Sequence, residues 1–323
     1  MLDNFALTIA KAIYNPSHIQ RVFDKLPLQA VKAVPDNEKP VAAAINCEYR
    51  IFDTLTEYLK NLDLYFSKAA AKHAAIVVLP EFFQLHAISL VPGFSKHLKM
   101  GKKKRLDAYD LLKSLGAEKL DLLNEITLTA VGCFAEVYSM YVIVGAGLTY
   151  KSGGLRMRSY LIDRNGKISG HQDKMYISDE CNDSELVLSD NLSVLNTYIG
   201  AVSILNGGDA LEWKCYKNAV EAGAKIIAAP QALRQNHDPL AAMRDVQANV
   251  QYYYAFGIKS CLIGGDEIGL KYKGKGIITA PFRMTPNMDG IVTSASSVEK
   301  GSVICAELDM HGLETYTDFY TGK

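Results

Sequence analysis

Two charged residues stand where the chain leaves a buried run, and their types suit base catalysis and the stabilisation of a developing anion. Glu81 closes VVLPE, directly after a β-branched stretch and a proline, and Lys174 closes GHQDK and is followed by Met175, Tyr176 and Ile177. A carboxylate held at a strand end can take a proton from a nucleophile, and a cation held the same way can meet an oxyanion as it forms. A lysine among apolar neighbours must pair with a carboxylate or lose its charge more readily. Glu180 supplies a further carboxylate six residues after Lys174, beyond a short polar turn. Taken singly each reads as a solvated or capping residue; together they form a set that lacks only a nucleophile.

Polar residues that follow buried strands are where α/β proteins place chemistry, because the sheet holds them at an open edge. The hydrophobic pattern supplies such strands. VAAAIN from Val41 is a short buried strand, residues 51–72 carry helical periodicity, and AAIVVLP is a second strand leading into Glu81. A helix over 118–139 is followed by the strands YVIVGAGLTY, LRMRSYLID and KISGHQDKM, the last delivering Lys174. A strand at YIGAVSIL, a helix over 209–222, the strand AKIIAAP, a helix over 241–255 and the strand GIKSCLIGG complete the body, and three more strands end the chain. AAIVVLPE is echoed by AGAKIIAAPQ, each half giving a helix, a buried strand and a polar residue after a proline. That is compatible with stacked helix-plus-sheet layers. Residues 1–40 read as a helical extension, with Phe5, Ile9 and Ile13 on one face and Ile19, Val22, Phe23 and Leu26 on the next, and residues 41–323 as the main domain. The segment 84–116, with its GKKKR run, reads as a solvated loop.

These pieces, in this order, resemble the nitrilase (carbon-nitrogen hydrolase) superfamily over residues 41–310. LPE with Glu81, LIDRNGKISGHQDKMYI with Lys174 and the strand from Gly200 are similar to its three catalytic blocks. AGAKIIAAP, RDVQANVQYYYAFG, GKGIITAP and ICAELDM are similar to its later segments. The resemblance implies a four-layer α-β-β-α sandwich. It also implies that Glu81 is the general base, Lys174 the oxyanion-stabilising cation and Glu180 the glutamate that helps orient the attacking group. A cysteine in that family attacks the amide or nitrile carbon covalently.

The family's cysteine lies four residues after the glycine of its strand, and counting from Gly200 reaches Ile204, a hydrocarbon that can neither attack nor accept a proton. The acid two places further on is then Asn206. Ala248 stands for the glutamate before Asn249, and Gly276 for the serine of the glycine-serine-proline strand. Ser203 is adjacent, but side chains alternate along a strand, so it points away from the site if Ile204 points in; a bulge in the NGGD run that follows would reverse this. Cys181, directly after Glu180, is the other thiol near these blocks, and Cys215 reads as a packed apolar group. The expectation is therefore a family member that binds a small amide, amine or carboxylate or forms assemblies instead of catalysing, with Asn206 and Ser203 among its binding residues. The alternative is an active hydrolase of small amides or nitriles with Ser203 or Cys181 as a substitute nucleophile.

Several classes are disfavoured. Lys plus Arg is 35 and Asp plus Glu is 35, which leaves no global field to draw in nucleic acid or an anionic membrane. Six scattered cysteines and seven dispersed histidines form neither a CxxC pair nor a short metal-ligand spacing, so no metal or cofactor is expected. His86 and His171 are the histidines close in sequence to Glu81 and Lys174. The apolar run 128–148 contains Glu136 and closes on Gly145 and Gly147, which suits a helix running into a strand better than a membrane span. With no basic and then apolar leader, a cytoplasmic protein is expected, and the resemblance implies a homodimer or larger homo-oligomer.

Overall fold

The computed structural model describes residues 2–29, 31–32, 36–94, 107–151, 153–178, 183–234, 244–265 and 269–321. Among the described residues, two six-stranded halves face each other. The first has the order β5 (Ile168–Asp173), β4 (Gly154–Ile162), β3 (Tyr141–Lys151), β2 (Ala74–Val78), β1 (Val41–Glu48) and β12 (Ser302–Glu307). The second runs β6 (Leu195–Thr197), β7 (Gly200–Ile204), β8 (Ile226–Gln231), β9 (Phe256–Ile263), β10 (Ile277–Thr279) and β11 (Ile291–Ser294). They join where Cys47 and Glu48 pair in parallel with Leu262 and Ile263.

Alternation along the strands builds the layers. Ala42 and Ala44 of β1, Ile76 and Val78 of β2, Val202 and Ile204 of β7, and Ile226 and Ala228 of β8 meet in a core between the halves. The intervening residues face outward. Ala43, Ile45 and Val77 pack under α3 (Leu55–Ala70) and α5 (Ala117–Tyr138), while Leu205, Ile227 and Ala229 pack under α6 (Trp213–Glu221) and α7 (Val246–Tyr253). Helix, sheet, sheet, helix is the four-layer sandwich that the sequence led us to expect. The start of α3 is fixed by Thr54, which accepts the N–H of Glu57. Its inward face is Tyr58, Leu59, Leu62 and Phe66, at helical spacing.

The first two helices, α1 (Leu2–Ile13) and α2 (Pro16–Phe23), share the core of the first half through Leu7, Ala10, Ile19 and Phe23, and Phe23 meets Phe134 of α5 edge to face at 4.9 Å. The apolar run 128–148 divides between the end of α5 and β3, and among the described residues no helix is long and apolar enough to cross a membrane. Part of the segment read as loop is ordered: a 3-10 helix spans Phe83–Leu90 and α4 spans Ala108–Lys113, while the GKKKR run lies outside the described residues. The helix expected over 209–222 is a 3-10 turn, Gly207–Leu211, followed by α6. Strand β6 and the closing helix α8 (Met310–Thr321) had no counterpart in the pattern reading.

Glu81 is placed by the end of β2 running on against β3. Leu79 N–H donates to Ile143 at 2.8 Å and Phe82 N–H to Ala146 at 2.7 Å, and Phe82, with φ of 56°, turns the chain sharply away. The passage is tight enough to require glycine at 145, where an added Cβ would come within 2.2 Å of the Pro80 carbonyl oxygen and 2.6 Å of the Glu81 nitrogen. Those are backbone atoms, so the strand end itself would have to move. Gly145→Ala is expected to lower stability by about 1–3 kcal/mol in urea denaturation, and an unchanged midpoint would contradict this account of how Glu81 is held.

Candidate functional site

Lys174 follows β5 directly, and its position is fixed from the residue before it. Asp173 receives Arg158 through two bonds, of 2.6 and 2.9 Å, and Arg156 at 3.1 Å. Guanidinium groups gripping one carboxylate in this way fix direction as well as charge. The ammonium of Lys174, 1% exposed, donates to the carbonyl of Asn206 at 3.1 Å and lies 3.9 Å from Oε1 of Glu81, itself 3% exposed. The base and the cation expected from the sequence are thus brought together.

The third side of the site is the turn after β7. Asn206 bridges the two halves: its Oδ1 accepts a short hydrogen bond from the Ser159 hydroxyl on β4, and its Nδ2 donates to the Gln172 carbonyl on β5 at 3.0 Å. Gly207 then adopts φ of 52°, a left-handed conformation that glycine enters without strain. A Cβ at Gly207 would lie 2.4 and 2.6 Å from the two carboxylate oxygens of Glu81, so that carboxylate rests on the bare backbone of the turn. Asp209 closes the turn by accepting the N–H groups of Met175 at 3.1 Å and Tyr176 at 2.9 Å, tying it to the segment that carries Lys174.

The expectation that Ile204 stands before Glu81 and Lys174 is not met. Strand parity sends its side chain into the core between the halves, beside Val202 and Ala228, and the part of this segment that Glu81 touches is Gly207. Ser203 points to the other side, as alternation requires, and its hydroxyl donates to the Ser193 carbonyl at 3.0 Å. Asn206 is at the site, although its side chain serves the framework and only its carbonyl meets Lys174. Glu180 and Cys181 lie outside the described residues. Gly207, Gly208 and Asp209 were not singled out as site residues, and the signal was the NGGD run, flagged only as a source of backbone irregularity.

Among the described residues, His86 and the thiols of Cys47, Cys215 and Cys261 are buried. His86 is fully buried: Nδ1 is 3.0 Å from the Phe83 carbonyl and Nε2 is 3.1 Å from Sγ of Cys47. Burial lowers its pKa to about 4, so the ring is neutral, and Nε2 also lies 3.2 Å from the Glu48 carbonyl. Burial also pushes the Cys47 thiol far up and those of Cys215 and Cys261 to about 12, which leaves little thiolate on any of them. His171 is exposed on β5. Gly276, which stands for a serine in the resemblance, has a packing reason, because an added Cβ there would come within 2.3 Å of Oδ1 of Asn46. Among the described residues no three His, Cys, Asp or Glu side chains are grouped to hold a metal ion.

The profile of the carbon-nitrogen hydrolase family matches residues 41–317. The chain belongs to the carbon-nitrogen hydrolase family. No curated protein matches it in sequence. Among solved structures it is similar to the amidase from Nesterenkonia sp. AN1. A glutamate-to-leucine mutant of that amidase, showing covalent addition of the acetamide moiety of fluoroacetamide at the active site cysteine, matches with a TM-score of 0.65 at 15% identity over 90% of this chain and 98% of that one. A cysteine-to-alanine mutant in complex with butyramide matches with the same TM-score, identity and coverage. A further structure of an amidase from Nesterenkonia sp. matches with a TM-score of 0.64 at 14% identity over 88% of this chain and 98% of that one. At such identities the likeness is one of fold.

Asp209 carries a pH signature. Burial raises its carboxyl pKa above the ordinary 3.8, and the Lys174 charge and the backbone N–H groups of Met175, Tyr176 and Asn206 offset this only in part. The folded protein therefore holds this proton more tightly than the unfolded chain, and the group's contribution to stability falls as pH rises from 3.8 through the raised value. Urea unfolding of wild type and Asp209→Asn across that window is expected to show the wild type's relative stability declining with pH. A relative stability that grows with pH would contradict the assignment.

Proposed function

We propose that this member of the family holds a small neutral amide without forming a covalent bond to it. One observation carries the reading: the residue lying against Glu81 beside Lys174 is Gly207, and the space a side chain would need is filled by the Glu81 carboxylate. Covalent attack requires a thiol or hydroxyl at that point. Gly207 is accordingly assigned to the family's nucleophile position in place of Ile204. The reassignment recovers the acid two residues on, which becomes Asp209 in place of Asn206.

The charges select the ligand. An amine would be repelled by Lys174 and a carboxylate by Glu81, whereas a primary amide can donate its N–H to the carboxylate and accept at its carbonyl from the ammonium. The similarity to an amidase whose cysteine-to-alanine mutant was seen in complex with butyramide supports non-covalent amide binding here. A substitute nucleophile finds little support among the described residues, since Ser203 is committed to Ser193 on the far side of its strand and Cys215 is buried against the helices.

Wild type is expected to bind butyramide in calorimetry and to release no ammonia from acetamide, acrylamide or butyramide. Gly207→Cys, whose Cβ the flexible end of Glu81 can make room for, is expected to gain ammonia release that disappears when Glu81→Gln is added. Ile204→Cys is expected to stay silent, because its thiol enters the core between the halves. Ammonia release by wild type that depends on Glu81 would overturn the reading.

A further inference from the structure

The turn after β7 has a second glycine, and its neighbour differs from that of the first. A Cβ on Gly208 would lie 2.7 Å from Cβ of Ser178, 3.4 Å from its hydroxyl oxygen and 3.8 Å from Nζ of Lys174. The obstacle at 2.7 Å is not the far end of a flexible side chain. A serine Cβ is fixed to its backbone, so any residue larger than glycine at 208 would drive the 174–178 segment off the turn. That segment is tied to the same turn on either side of Gly208, with Met175 and Tyr176 donating to Asp209 and Lys174 to the Asn206 carbonyl. Gly207 therefore admits Glu81, and Gly208 admits Ser178.

Glu81, Lys174, Asn206 and Asp209 are buried, whereas Ser178 is only half-buried. Its hydroxyl and the Lys174 ammonium flank the same point above Gly208, one within 3.4 Å and the other within 3.8 Å of it. A hydroxyl can turn its proton toward an acceptor, and a ligand carbonyl already facing Lys174 is such an acceptor. We propose that Ser178 is a ligand-contacting residue whose hydroxyl joins Lys174 in donating to the carbonyl oxygen of the amide, an assignment that rests on the binding function proposed above. Gly208 is then a specificity-determining position, because it alone lets the hydroxyl lie over the turn.

Calorimetric titration with butyramide tests this. Ser178→Ala is expected to weaken binding about fivefold, the effect of one lost hydrogen bond, with no change in Tm. Gly208→Ala is expected to lower both affinity and Tm. Adding Ser178→Gly to Gly208→Ala removes the clash, so Tm is expected to return toward wild type while affinity stays at the Ser178→Ala level. That split separates the hydroxyl from mere packing. If wild type binds butyramide and Ser178→Ala binds it equally well, the assignment of Ser178 fails and the pocket reading stands. If wild type does not bind butyramide, both fail.

Discussion

A charged lysine with 1% of its surface exposed must be neutralised and fully hydrogen-bonded, or the fold carries the cost of a bare ion out of water. Lys174 sets that requirement where the two halves of the sandwich meet. Its ammonium reaches across to the Asn206 carbonyl at the end of β7 and stands 3.9 Å from the carboxylate delivered by β2. Three elements from different parts of the chain are thereby held to one point. Removing one member of the Lys174–Glu81 pair would leave the other as an uncompensated buried charge.

The surrounding framework follows from that requirement. Asn206 is pinned by Ser159 and the Gln172 carbonyl, and Gln172 in turn accepts the Ser193 N–H at 2.6 Å through its side-chain oxygen. Ser193 also takes the Ser203 hydroxyl, so the serine that the sequence offered as a spare nucleophile is part of the scaffold. Against this rigid frame the two glycines of the turn give way, one to Glu81 and one to Ser178. Fold and function separate at this point: the sandwich is that of the family, and under the proposed function the activity depends on what stands on the turn.

Much of the sandwich was legible because buried strands in this chain are short, β-branched and punctuated by proline or glycine, as in AAIVVLP and AKIIAAP. Glu81 and Lys174 were legible for the same reason, since each follows a strand. The turn after β7 was not. Counting from Gly200 assumes a strand of fixed length, and the site lies three residues beyond the point that count reaches, at a glycine with positive φ. Alternation was read correctly in setting Ser203 opposite to Ile204, but neither faces the site, because the strand ends before the turn does. Strand β6, only Leu195–Thr197, and the helix Met310–Thr321 were hidden by shortness and by a mixed pattern of aromatic and polar residues.

On the function proposed here, Gly207 occupies the place of the family's nucleophile. The most direct test of that placement is the intact mass of the protein after incubation with fluoroacetamide. Wild type should remain unmodified, and Gly207→Cys should gain a single acetamide moiety that peptide mapping places at position 207. An adduct on wild type, or a Gly207→Cys thiol that stays inert while the variant remains folded, would contradict the account.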